Sequence, residues 1–167
     1  MRKINILKAI VDLLWIFSMP IVLLIIGFSI TIFFVVLSEL NIKINSVVLN
    51  TNKLTSKILL AIAALNYLLI IAALYFFRKV LHYFLRVKIF EEMVITSFKK
   101  IGNLLVISSI ISLITSMLSK VYFEQKVALE FGLNQHLIII CFGLFFLVLS
   151  EIFKIAKHQK QENDLTI

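Results

Sequence analysis

LLWIFSMPIVLLIIGFSITIFFVVLS, residues 13–38, carries no charged side chain. A helix of that length crosses the roughly 30 Å hydrocarbon core of a bilayer. Three runs of the same character follow at 58–77, 101–119 and 137–153, and Glu151, near the end of the last, is the one charge inside any of the four. Helices of a water-soluble domain need a polar face, and these runs offer none. The sequence therefore predicts an all-α integral membrane protein, a four-transmembrane-helix antiparallel bundle. The segments between the runs are too short to bury a core of their own, so 1–167 reads as a single membrane domain.

Composition agrees. Hydrophobic residues make up 61% of the chain, against roughly 45–50% in soluble domains. The net charge of +8 invites a nucleic-acid reading, but placement argues against direct nucleic-acid binding. Arg2, Lys3, Lys8, the 78–100 segment and the tail supply twelve basic residues on one side, and the two other loops supply five. Basic residues flank spans on the cytoplasmic side, which predicts both termini and the central segment in the cytoplasm. Trp15, Tyr75 and Tyr83 fall where the inner headgroups should lie and Tyr122 near the outer ones, as in an aromatic belt. The first run is too long for a secretory signal, and no small-x-small cleavage site follows it. Pro20 removes one backbone donor and is expected to kink the first span.

Between spans two and three, Val87, Phe90, Met93, Val94, Phe98 and Ile101 share one helical face, with Lys88, Glu92 and Lys99 opposite. Lys88 and Glu92 have the i,i+4 spacing of an ion pair. This predicts a cytoplasmic amphipathic helix at the membrane surface; the alternative is a cytoplasmic extension of span three. In the outer loop 39–56, Ile42 and Ile44 alternate with polar neighbours, a pattern that would suit a short strand.

Span three holds the most specific polar pattern. Ser108, Ser109, Ser112, Thr115, Ser116 and Ser119 occupy one arc, and Ser108, Ser112 and Ser116 form a small-xxx-small ladder. Such a stripe lets helix backbones approach closely in lipid, within the bundle or in a homo-oligomer. The alternative is a hydrated groove lined by hydroxyls. Asn66 is the most deeply placed amide and should take a span-three hydroxyl as partner. Glu151 sits near the inner boundary of span four, with Lys154 one turn away and Arg78 or Lys79 as alternative cations for a rim ion pair.

Enzyme signatures are missing. His82, His136 and His158 fit no metal-binding spacing, no glycine-rich phosphate loop exists, and the one cysteine, Cys141, cannot form an intrachain disulfide. The sequence points to no catalytic residue, cofactor or metal.

The stretch from Glu151-Ile-Phe-Lys to Asp164-Leu165-Thr166-Ile167 resembles the end of a bacterial four-span membrane family catalogued as domain of unknown function 2975 (YoaS-like). Its members typically close on a Glu-Ile-Phe/Val-Phe element and a tail ending Asp-Leu-Thr-Ile or Val. Lys88-Ile-Phe-Glu-Glu followed by Phe98-Lys-Lys-Ile-Gly102 also resembles the family's pattern ahead of span three. The chain departs from it at Ile155-Ala156, where many relatives carry a basic residue and a glycine, and lacks the usual Gly or Pro before Phe90. The family has no established activity. Its genes often neighbour one for a small helix-turn-helix regulator, so the resemblance implies a membrane sensor or sequestering partner for such a protein. The tail 157–167, ending Asp164-Leu165-Thr166-Ile167, is the candidate docking element. A small transporter or channel subunit, and a purely structural assembly subunit, are the competing readings.

Overall fold

A computed structural model describes residues 2–34, 42–44, 47–49, 53–124 and 134–164. Four helices carry the fold: α1 (Arg2–Phe34), α2 (Leu54–Leu85), α3 (Glu92–Ser119) and α4 (Gln135–Asp164). Each is long and apolar enough to cross a membrane. Between α1 and α2, β1 (Ile42–Ile44) pairs antiparallel with β2 (Val47–Leu49), Ile42 opposite Leu49 and Ile44 opposite Val47. The alternation at Ile42 and Ile44 thus marks one arm of a small hairpin. Pro20 lies inside α1 without ending it.

The helices outrun their apolar stretches, and furthest toward the basic side. α1 begins at Arg2, α2 continues through the charged turns to Leu85, and α4 runs on to Asp164. Polar side chains do not stop a helix when backbone hydrogen bonds propagate along it, and no glycine or proline lies between Lys53 and Glu91 to intervene. At the start of α4 the Asn134 side chain accepts a hydrogen bond from the Leu137 amide at 3.0 Å, a side-chain cap that fixes where the helix begins.

α2 ends differently. The Lys88 amide reaches back to the Tyr83 carbonyl and the Val87 amide to that of Phe84, both at 3.1 Å. That Schellman pattern requires a left-handed residue, and Val87 supplies it at φ 58°. A β-branched side chain is a poor occupant of this region, where glycine carries no Cβ penalty. Val87→Gly is therefore expected to raise the unfolding free energy in detergent by about 1 kcal/mol. An unchanged or lowered unfolding midpoint would refute the strain at this turn.

The 86–100 segment is not a separate helix. Lys88 and Phe90 lie in the α2–α3 turn, and α3 runs unbroken from Glu92 into the apolar stretch. Val94, Phe98 and Ile101 are buried against neighbouring helices rather than turned to a membrane surface. The extension reading is the one the structure takes. The Lys88–Glu92 pair is also replaced: Lys88 faces Glu91 at 3.9 Å, because only from Glu92 onward does the chain have helical spacing.

α3 is the central helix. A third of its apolar stretch (33%) is buried inside the protein, against 11% for α1. It packs along α2 on one side and α4 on the other, while α1 packs on α2. Contacts between α3 and α4 descend in α4 as they ascend in α3, from Ile95 with Ser150 to Ser109 with His136. Ala73, Val80, Val94, Phe98 and Ile101 form the core, with Phe76, Phe77, Phe84, Phe146 and Phe153 packed around it. That core lies toward the basic end, where α2, α3 and α4 converge. Elsewhere the molecule presents Leu, Ile and Phe outward, with Leu23, Leu24 and Phe34 more than two-thirds exposed. In water such a surface would be an aggregation liability; in hydrocarbon it meets a solvent of its own kind. The chain reads as a multi-pass membrane protein.

Candidate functional site

Two polar regions interrupt the apolar body: the hydroxyl stripe on α3 and the charged rim at the basic end. In the stripe, Ser108, Ser109, Thr115 and Ser119 are buried, and Ser112 and Ser116 are half-buried. The stripe faces other parts of the protein. Its hydroxyls do not act alike. Thr115 donates to the Ile111 carbonyl at 2.8 Å and Ser119 to that of Ser116 at 2.9 Å, each satisfied on its own helix. Ser109 reaches across to the His136 carbonyl on α4 at 2.6 Å. Ser108 Oγ is buried with no hydrogen-bond partner, as are Ser56 Oγ, Asn66 Oδ1 and His136 Nδ1. The Asn66 carbonyl oxygen, expected against a span-three hydroxyl, has no such contact.

Ser109→Ala and Ser108→Ala should therefore part company. Losing the Ser109 bridge is expected to cost about 0.6 kcal/mol, the average for polar side-chain bonds between membrane helices, and at most about 1.7 kcal/mol. Losing the unpartnered Ser108 hydroxyl should cost nothing or stabilise slightly. Equal losses in equilibrium unfolding would show that the bridge carries no energy.

Sequence reasoning missed two features of this interface. Ser150 donates to the Ile95 carbonyl at 2.9 Å, tying α4 to α3 a second time. Gly102 and Gly143 face each other where the two backbones come closest: a Cβ on Gly102 would stand 2.8 Å from the Gly143 carbonyl oxygen and 2.6 Å from Leu147 Cγ. The available signal was that spans three and four contain one glycine each, a residue small enough to let helix backbones approach closely.

At the charged rim the expected Glu151–Lys154 pair is present, while Arg78, its alternative cation, has another partner. Arg78 is held by Asp12 of α1, Nε to Oδ1 at 2.5 Å, rather than by Glu151. Glu151 and Lys154 lie 3.9 Å apart with both side chains well exposed, a loose surface pair that contributes little. Lys79 lines a hollow with Lys8, Tyr75, Arg78 and His82. On the other flank Lys157 of α4 holds Glu92 at the head of α3, and Lys160 lies 5.9 Å from the Phe90 ring centre. These contacts fasten the polar extension of α4 to the α2–α3 turn. Two hollows open there, of about 360 Å³ beside Phe90, Glu91 and Lys160 and about 480 Å³ beside Glu92, Glu151 and His158. Of the tail, Asp164 closes α4, and Leu165, Thr166 and Ile167 lie outside the described residues.

Among the described residues no group of three or more His, Cys, Asp or Glu could hold a metal ion, and Cys141 is exposed on α4. Residues 17–167 match the family described as "Protein of unknown function (DUF2975)". The chain belongs to that family. The DUF2975 match starts within α1, just beyond Ile16, and takes in the other three helices and the α4 extension. Lys8 and Asp12, which complete the α1 side of the rim, precede it. No curated protein and no solved structure matches the chain.

Proposed function

We propose that this member of the DUF2975 family is a non-enzymatic protein of the bacterial cytoplasmic membrane whose basic end docks a soluble partner. In this reading the four helices form an up-and-down antiparallel bundle with both termini in the cytoplasm. The cationic bias of Arg2, Lys3, Lys8, the 78–100 segment and the tail supports that orientation. The first turns of α3 then stand among the cytoplasmic headgroups, exposing Lys99 and Lys100 while Phe98 packs inward.

One observation carries the docking reading. The polar end of α4 is a helix tied to the head of α3 by Lys157–Glu92 and to the α2–α3 turn by Lys160–Phe90, and it frames two hollows. A tail serving only solubility has no need of such fastening. The family resemblance supplies the partner class, a small helix-turn-helix regulator, which the membrane protein would hold away from DNA or release on a signal. Affinity purification of the full chain from native membranes, with quantitative mass spectrometry, tests this. A helix-turn-helix protein should co-purify, and deleting 159–167 should shift it to the soluble fraction. An unchanged distribution of the regulator would defeat the proposal.

A second reading, transport of a small solute, is favoured by the buried and unpartnered Asn66 Oδ1 and Ser108 Oγ. Substituting Ser112→Leu together with Ser116→Leu would block a path along that stripe. No change in any flux or resistance phenotype would retire it.

A further inference from the structure

The rim where α1 meets α2 has a chemistry of its own. Lys8, Tyr75, Arg78, Lys79 and His82 line a hollow of about 260 Å³. Three of these are basic side chains, and among the described residues the carboxylate paired with them is that of Asp12, bound to Arg78 Nε. Three positive charges against one negative leave an excess of two. On the α3–α4 flank the balance is closer to even: Lys88, Lys154 and Lys157 each face a carboxylate, and Lys160 lies over the Phe90 ring. Among the described residues Lys8 and Lys79 have no carboxylate partner.

The placement is as specific as the charge. Trp15 and Tyr75 pack with their rings tilted at 43° and centroids 5.4 Å apart, on the hydrocarbon side of this hollow. Paired Trp and Tyr settle at the depth of the headgroups. The cations beyond them, Arg78–Lys79 one turn past Tyr75 and Lys8 about two turns past Trp15, therefore lie at the level of lipid phosphates. Asp12 takes Arg78 through Nε, which orients the guanidinium and leaves its terminal nitrogens for a second acceptor.

We propose that the hollow between the basic ends of α1 and α2 binds a phosphate ester, that of an anionic lipid headgroup. Arg78 and the two lysines supply the donors, Asp12 fixes Arg78, and the Trp15–Tyr75 pair sets the depth. The proposal rests on the membrane reading of the four helices and is independent of a docking partner. A free phosphate has the same chemistry, and the test separates the two sources.

Trp15 is the single tryptophan of the chain, so its fluorescence reports on the lipid beside the Trp15–Tyr75 pair that borders this hollow. The full-length protein is reconstituted in phosphatidylcholine nanodiscs containing matched fractions of either brominated phosphatidylglycerol or brominated phosphatidylcholine. The anionic lipid should quench Trp15 more strongly. Lys8→Gln combined with Lys79→Gln should lower its relative affinity roughly 25-fold, at about five-fold per lysine. Lys79→Glu alone should reproduce most of that loss, and circular dichroism checks that both variants keep their helices. Inorganic phosphate is then added against chloride of equal ionic strength. Selective quenching that phosphate does not relieve beyond chloride assigns a lipid phosphate; relief by phosphate alone assigns a site that soluble phosphate also enters. Equal quenching by both lipids, with no effect of phosphate, overturns the proposal. So does a preference that survives both variants, or one lost equally in a Lys99→Gln, Lys154→Gln control, because either outcome reduces the effect to general surface charge.

Discussion

Gly102→Ala is expected to destabilise the protein by about 1–3 kcal/mol, and Gly102→Leu by more. The reason lies in what a new Cβ would meet. One neighbour, Leu147 Cγ at 2.6 Å, belongs to a side chain that can rotate; the other, the Gly143 carbonyl oxygen at 2.8 Å, is backbone and cannot. Relief would require α3 and α4 to separate, at the expense of the Ser109–His136 and Ser150–Ile95 bridges on either side. Gly143→Ala should be milder, since its hardest contact is Val106 Cγ2 at 2.7 Å and the backbone stands at 3.1 Å. Gly27 meets nothing within 4 Å. There alanine should be neutral or stabilise by up to about 1 kcal/mol through helix propensity. Equilibrium unfolding in mixed micelles measures all three, and the account needs that order. If Gly102→Ala behaved like Gly27→Ala, the close α3–α4 approach would be wrong.

Phe98→Ala is the second large effect, with an expected loss of about 3–5 kcal/mol. Phe98 is 3% exposed and meets Phe153 at 5.3 Å, Phe146 at 5.9 Å and Phe84 at 6.1 Å between ring centres. It touches α2 and α4 at once, so its removal opens a cavity at the convergence of three helices. Lipid cannot reach that cavity to fill it, and the lost contacts are not replaced. Phe145→Ala provides the comparison, because that ring is 55% exposed and faces outward. Acyl chains can replace its neighbours, and the cost should be small. Equal costs for the two phenylalanines would show that the core is not where the structure puts it.

The contrast between these residues explains what could be read from the sequence. Four crossings were legible because hydrocarbon demands long uncharged runs, a requirement that few sequences meet by accident. The period of the α3 stripe was legible for the same reason, since a helix in lipid must turn its hydroxyls inward. At the rim the Glu151–Lys154 pair was legible from its one-turn spacing, but the partner of Arg78 was not. Arg78 and Asp12 are 66 positions apart, and charge alone made Glu151 as reasonable a partner. Lys88 was assigned to Glu92 by helical spacing, but the left-handed Val87 ends α2 there and puts Lys88 in a turn. Nothing in local composition announces a valine in that conformation. The Gly102–Gly143 contact depends on how far α4 slides along α3, a register that no single span encodes.

The central claim is that hydrocarbon surrounds four crossings, with the α2–α3 turn and the α4 extension on one side and the starts of α2 and α4 on the other. Replacing Cys141, the sole cysteine, by serine gives a clean background for single cysteines at Lys53, Lys88, Gln135 and Gln159, all exposed positions. An impermeant maleimide applied to right-side-out and inverted membrane vesicles should label positions 53 and 135 from outside, and 88 and 159 only in inverted vesicles. Labelling of 88 and 135 from the same side would contradict the account.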